Sequence, residues 1–117
     1  MNPASPAMLT QLERFLDVVT ARHKLVSGNI ANIDTPGYRT LDVNFQSELQ
    51  RAMEGGAAPS TPAAHEVGGL MQRPDGNNVS LEREGLMLAQ TQLQYRTAVE
   101  LVRQQFRRIS SAINEGK

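Results

Sequence analysis

Apolar positions along the first third of the chain fall three and four residues apart: Leu9, Leu12, Leu16, Val19, then Val26, Ile30 and Ile33. His23 is the one break in that seam, and Phe15, Val18 and Leu25 widen it. Such spacing keeps one face of a 3.6-residue helix apolar and predicts an amphipathic N-terminal helix over residues 1–34. Ser5 supplies an N-cap oxygen, and Pro6 suits the first helical position, where no N–H is needed. A second seam runs through Leu81, Leu88, Tyr95, Val99, Val102, Phe106, Ile109 and Ile113, with Gly85 and Gln92 in its two weak slots. It predicts a C-terminal helix over residues 80–117 that pairs with the first as a coiled coil. Ser80 is its N-cap, Glu82 and Glu84 meet the positive end of the helix dipole, and Arg107 and Arg108 approach the negative end. Arg96 and Glu100 are spaced to pair on its surface. At about 1.5 Å per residue such a helix is roughly 50 Å long, a large fraction of so small a domain.

Between the helices the periodicity changes. LDVNF, from Leu41 to Phe45, alternates apolar and polar and predicts a short extended piece; FQSELQRAM, from Phe45 to Met53, predicts a short helix. EGGAAPSTPAAHEVGG, residues 54 to 69, is too poor in large apolar side chains to offset its ordering entropy and is expected to be a flexible loop. PDGNN, residues 74 to 78, is a turn cluster leading into the last helix. The expected fold is mainly α. Its layout is an N-terminal helix (1–34), a turn and short middle segment (35–53), a flexible loop and turn (54–79), and a C-terminal helix packed on the first (80–117). Two lone helices bury only part of their apolar stripes, so other chains are expected to cover the rest.

Composition narrows the function by exclusion. The 117 residues include 12 basic and 12 acidic side chains, a formal net charge of zero, which argues against a broad electrostatic footprint for nucleic acid or anionic lipid. No cysteine is present, so neither disulfide nor thiolate chemistry is available. The N-terminal MNPASPAMLTQLERF has no basic and apolar signal-peptide pattern, and no apolar run reaches the ~18 residues of a membrane span. His23 and His65 are too isolated for a metal motif, and His23 is expected to be packed or interfacial. The Gly-Gly pairs have no Lys-Ser or Lys-Thr behind them, and no serine stands in an esterase-like elbow. Glu82 and Glu84, two apart on a helix, point to different sides and make no catalytic pair. No enzyme, cofactor or metal is expected.

NIANIDTPGYR, residues 29 to 39, ends the first helix with amides, a Thr-Pro-Gly turn and an aromatic. Pro36 and Gly37 suit the second and third positions of a type II turn. Asn29, Asn32, Asp34 and Thr35 can bond the groups that a helix end leaves free. Asn29, Ala31, Asn32, Thr35, Pro36, Gly37 and Tyr38, with Arg39 behind them, resemble the N-terminal signature of the bacterial flagellar axial proteins: rod, hook and hook-associated subunits. Gly28 departs from that pattern, where Ala or Asn is commoner, and lowers helix propensity at the helix end. DVNFQSEL (42 to 49), DGNNVSLERE (75 to 84) and the C-terminal seam extend the likeness to the small rod subunits, most of all the one at the proximal end.

The resemblance implies terminal helices that pack side by side into a periplasm-spanning tube transmitting torque. It implies as partners further copies of this chain, the other rod subunits, the ring-to-rod adaptor protein and the flagellar type III export gate, with no nucleic acid and no membrane insertion. Early flagellar subunits carry a Phe-three-residues-hydrophobic element read by that gate; Phe45 and Leu49 have its spacing, and export by this route needs no cleaved signal peptide. The alternatives are the neighbouring small rod subunit and a non-flagellar coiled-coil adaptor or DNA-associated regulator using the basic helix end.

Overall fold

The computed structural model describes residues 6–54 and 62–116. The Ser5 cap and the part of the Gly/Ala/Pro-rich loop from 55 to 61 lie outside them. Five elements follow in order: α1 (Pro6–Ala31), β1 (Leu41–Val43), α2 (Phe45–Met53), β2 (Ala64–Glu66) and α3 (Leu81–Glu115). The mainly helical architecture with two long terminal helices and a small β element is as the sequence pattern predicts. The molecule is 69 Å long and 27 × 17 Å across, and the 35-residue α3, about 52 Å at 1.5 Å per residue, spans most of that length.

α1 and α3 run antiparallel. The end of α1 at Asn29 meets the start of α3 at Glu84, and Leu12 and Phe15, nearer its beginning, share a groove with Leu93 and Leu101. Val18, Val19 and Val26 of α1 are buried, as is Ala98 of α3. The other buried positions of α3 are Glu84, Thr91 and Gln105. Those four residues recur every seven, so the line of closest contact on α3 is small or polar, and the large apolar side chains flank it. Leu81, Tyr95, Phe106 and Ile113 of the expected seam are exposed in the single chain, while Leu88, Val99, Val102 and Ile109 are half-buried. On α1, Val19 and Val26 are buried and Leu9, Leu12, Leu16, Ile30 and Ile33 half-buried; His23 is exposed. Glu100 pairs with Arg107 at 3.0 Å and with Arg103 at 3.8 Å, in place of the Arg96 partner that spacing suggested.

The short middle forms as its pattern predicts. Asn44 accepts from the Ser47 N–H at 3.1 Å and caps α2, and Arg14 of α1 donates to Ala52 O at 2.6 Å near its other end. Phe45 meets Phe15 edge to face with ring centroids 5.9 Å apart, and the Arg22 guanidinium stands 5.5 Å from the Phe45 ring centroid. β1 pairs antiparallel with β2, Asp42 opposite His65. β2 lies within the stretch expected to be loop: all three of its side chains are exposed, so no alternation of burial marked it, and its backbone pairing with β1 makes it a strand.

Candidate functional site

The signature stretch folds into a clasp that joins the end of α1 to the start of α3. α1 ends at Ala31, three residues before the sequence pattern suggested. The Ile33 N–H turns back to Ile30 O at 3.2 Å, a tightened last turn. Asn32 donates from its side chain to Gly28 O at 2.8 Å, and Thr35 donates to Asn32 Oδ1 at 3.0 Å. The chain then reverses through Thr35–Tyr38, with the Tyr38 N–H on Thr35 O at 3.2 Å and Gly37 at φ 76°, as a type II turn requires.

Asn29 is the centre of the clasp and is fully buried. Its amide nitrogen donates to Leu41 O and to Glu84 Oε1, both at 2.8 Å. Its oxygen accepts from the Tyr38 hydroxyl at 2.9 Å and the Leu41 N–H at 3.1 Å. A primary amide offers two donors and two lone pairs, and all four are used. No other residue of that size offers the set: Asp lacks the donors and Ser lacks the reach. One side chain thereby ties α1, the signature turn, β1 and α3 together.

A second asparagine completes the join from the other side. The Asn77 amide nitrogen donates to the carbonyls of Asn32 at 2.9 Å, Ile33 at 3.0 Å and Thr35 at 2.9 Å. Those carbonyls belong to the turn that follows the end of α1, where Asn32 O also accepts from the Thr35 N–H at 3.0 Å and Thr35 O from the Tyr38 N–H. Arg73 also donates to Ile33 O, and to Val79 O at 3.0 Å. The Gly37 N–H reaches Asp75 O at 2.9 Å, and Gly76, at φ 87°, lies so close that a Cβ there would stand 3.3 Å from Gly37 Cα. Asn78 accepts from the Thr40 N–H at 2.6 Å. The PDGNN cluster is therefore the C-terminal cap of α1, delivered from more than 40 residues further along the chain.

Charge is gathered beside Asn29. Arg22 grips Asp42 with two bonds of 3.1 Å, and Arg83 bridges Asp42 at 2.6 Å and Glu84 at 2.9 Å. Burial works to raise the Asp42 carboxyl, but the hydrogen bonds from Arg22 and Arg83 together outweigh it and hold that carboxyl below its usual range. Glu84 goes the other way. Burial pushes its carboxyl up, and Arg83 and Asn29 offset only part of that. Tyr38 is raised too, by burial first and by the nearby Glu84 charge second.

Of the expected signature residues, Asn29, Asn32, Gly37 and Tyr38 meet in the clasp. Thr35 and Pro36 form its exposed turn, and nothing in the structure explains Ala31. Phe45 and Leu49 are half-buried on α2, away from it. Sequence reasoning missed Arg22, Asp42, Arg73, Asn77, Asn78 and Arg83, and took Glu84 for a helix-dipole partner. The one available signal was the pair of adjacent asparagines just ahead of the Ser80 cap, which a simple turn does not need. Glu84 Oε2 apart, the polar groups of the clasp named above are one another's partners, an arrangement that holds segments together.

No established family profile matches the chain. Individual relatives do. The flagellar basal body rod protein FlgB of Bacillus subtilis is 30% identical, with 93% of this chain and 95% of the relative covered. That of Yersinia enterocolitica is 30% identical over 86% of this chain and 89% of its own length. The chain belongs to the FlgB family. The FlgB of Cereibacter sphaeroides, 32% identical over 79% of this chain and 82% of its own, adds a third organism. As a FlgB-family member the chain is a structural protein of the flagellar basal body rod, and its paired long helices are the coiled-coil part of it. Among the described residues no helix is long and apolar enough to cross a membrane.

Proposed function

We propose that this FlgB-family chain is a self-assembling subunit of the proximal rod, packed through α1 and α3 into the periplasm-spanning drive shaft. The observation that carries the reading is the apolar surface α3 leaves uncovered: Leu81, Leu86, Leu93, Phe106 and Ile113 are each 60% or more exposed in the single chain. At 100° per residue, Leu81, Tyr95 and Phe106 fall on one flank of the buried Glu84–Gln105 line and Leu101 on the other, with Leu86 and Leu93 further round on that second side. Two apolar flanks on one helix call for two different neighbours. Contacts of that kind are heterologous, and where the rotation between copies does not close a ring they continue as an open helical stack, as a tube requires. Neighbouring copies, the other rod subunits and the ring-to-rod adaptor would cover these flanks.

Export through the flagellar type III gate is part of the same proposal. Phe45 is held against Phe15 and Arg22 in the folded chain, so a gate reading Phe45 and Leu49 would do so before the chain folds. The test of assembly is Leu93→Glu and Phe106→Glu in the native cell. Each variant is expected to leave the circular dichroism of the isolated chain unchanged and to abolish motility and rod formation. Motile cells with intact basal bodies in both variants would refute packing through these flanks. Cross-linking mass spectrometry on purified basal bodies tests the position: links to the ring adaptor and export gate are expected, and links to distal rod subunits alone would move the chain up the rod.

A further inference from the structure

The two carboxyls of the clasp are built differently. Asp42 receives four donors: two from Arg22, one from Arg83 and the Val43 N–H at 2.7 Å. Such a set demands a charge. Glu84 receives two, from Asn29 and Arg83, and both land on Oε1. Its Oε2 is buried and has no partner among the described residues, and the side chain is 0% exposed. An unmatched anionic oxygen in a dry interior is far costlier than an unmatched hydroxyl. A proton on Oε2 removes that cost and leaves Oε1 free to accept both bonds as a carbonyl oxygen.

The arginines do not need the Glu84 charge. Arg22 and Arg83 side chains are 14% and 21% exposed, so each reaches solvent, and both keep Asp42 as counter-ion. Around Glu84 stand neutral Asn29 from α1, with Arg22 of that helix behind Asp42. β1 contributes Asp42, the signature turn neutral Tyr38, and α3 itself Arg83. One cation touches the carboxyl and one further anion stands behind that cation.

We propose that the clasp is a proton-linked lock, which in weakly acidic solution closes around an ionised Asp42 and a protonated Glu84 and so takes up one proton as it closes. The proton comes from solvent and bonds to Glu84 Oε2; no other covalent bond changes. The upward push of burial on Glu84 acts in the same direction. In the unfolded chain Glu84 loses its proton around its ordinary value of 4.5, so above that pH the closed state holds more protons than the open one. Its contribution is therefore full below that value and is lost as pH rises through the higher folded-state value. Asp42, held below its ordinary 3.8, contributes in the opposite sense: its share is present above that value and lost as pH falls. The lock is tightest between these limits. It does not depend on the rod assignment, since it acts within one chain.

Urea titration of the full chain tests it, in a Tyr95→Phe background so that Tyr38, inside the clasp, is the only tyrosine reporting. In the parent the unfolding midpoint is expected to peak in weakly acidic solution and to decline as pH rises above the ordinary glutamate range. Glu84→Gln is expected to flatten that decline and keep the acid limb, and Asp42→Asn to remove the acid limb. A Glu84→Gln chain that declines as steeply as the parent overturns the proposal, as does a parent midpoint that does not decline above that range. Should Glu84→Gln fail to close, the carbon-13 carboxyl resonance of Glu84 in the unsubstituted chain decides. Titration above the ordinary glutamate range supports the lock, and titration at or below that range overturns it.

Discussion

Asn29 and Glu84, 55 residues apart in the chain, meet side chain to side chain at 2.8 Å with neither exposed to solvent. One opens the NIANIDTPGYR stretch and the other lies in the first turn of the last helix. Their contact turns two amphipathic helices into a hairpin of fixed register, because each is held by groups that no neighbouring turn of helix could supply.

Asn29→Ala is expected to be the most damaging single change in the signature. It leaves the Leu41 N–H and carbonyl, the Tyr38 hydroxyl and Glu84 Oε1 each short of a partner. At ~1 kcal/mol or more for each group left unmatched, the loss is about 4 kcal/mol or greater. Asn29→Asp, similar in shape, should be at least as harmful, since it sets a carboxylate against Glu84. Chemical unfolding of the isolated chain checks both.

Asn77 gives a test of charge at the same join. Asn77→Ala removes the cap from three carbonyls and is expected to cost about 2 kcal/mol. Asn77→Asp keeps the acceptor that Val79 N–H uses at 2.8 Å, yet places a negative charge at the negative end of the α1 dipole. If the cap acts through its donors, Asp is no better than Ala. An Asp variant close to the parent in stability would show that the Val79 bond matters more.

Glycine substitutions should split by location. Gly76→Ala forces a side chain into φ 87° and towards Gly37 Cα, and is expected to lose about 1–3 kcal/mol. Gly28 and Gly85 lie inside helices with nothing within 4 Å of a built Cβ. Gly28→Ala and Gly85→Ala should stabilise the isolated chain by up to about 1 kcal/mol. Thermal melts followed by circular dichroism separate the two classes. Motility of the same strains then reports whether a neighbouring chain uses the space.

Tyr38 ionises less readily than a free tyrosine, through burial and then the Glu84 charge. The folded chain therefore keeps its phenol proton longer, and that share of stability is lost as pH rises through and above 10.0. Tyr38→Phe should remove this alkaline loss and, at neutral pH, cost about 1 kcal/mol for the bond to Asn29. Unfolding midpoints at neutral and strongly alkaline pH, parent against variant, decide it.

What the sequence determined by itself is local. Spacing three and four apart placed α1 and α3. Ser80 capped where a cap was expected, accepting from the Arg83 N–H at 3.2 Å. Pro36 and Gly37 made their turn, and LDVNF and FQSELQRAM became strand and helix. Each follows from dihedral preferences and hydrogen bonds within a few residues. The tertiary structure decided which face of α3 turns inward, and chose the line Glu84, Thr91, Ala98, Gln105 in place of the larger apolar seam. Periodicity marks a stripe as apolar without saying whether its own chain or a neighbour covers it. Thr91 and Ala98 are small enough to let the two helices approach, and the Glu84 bond fixes their register. The clasp was legible only in half. Asn29 and Asn77 are ordinary turn and helix-end residues in one dimension, and their eight side-chain bonds go almost entirely to groups distant in sequence.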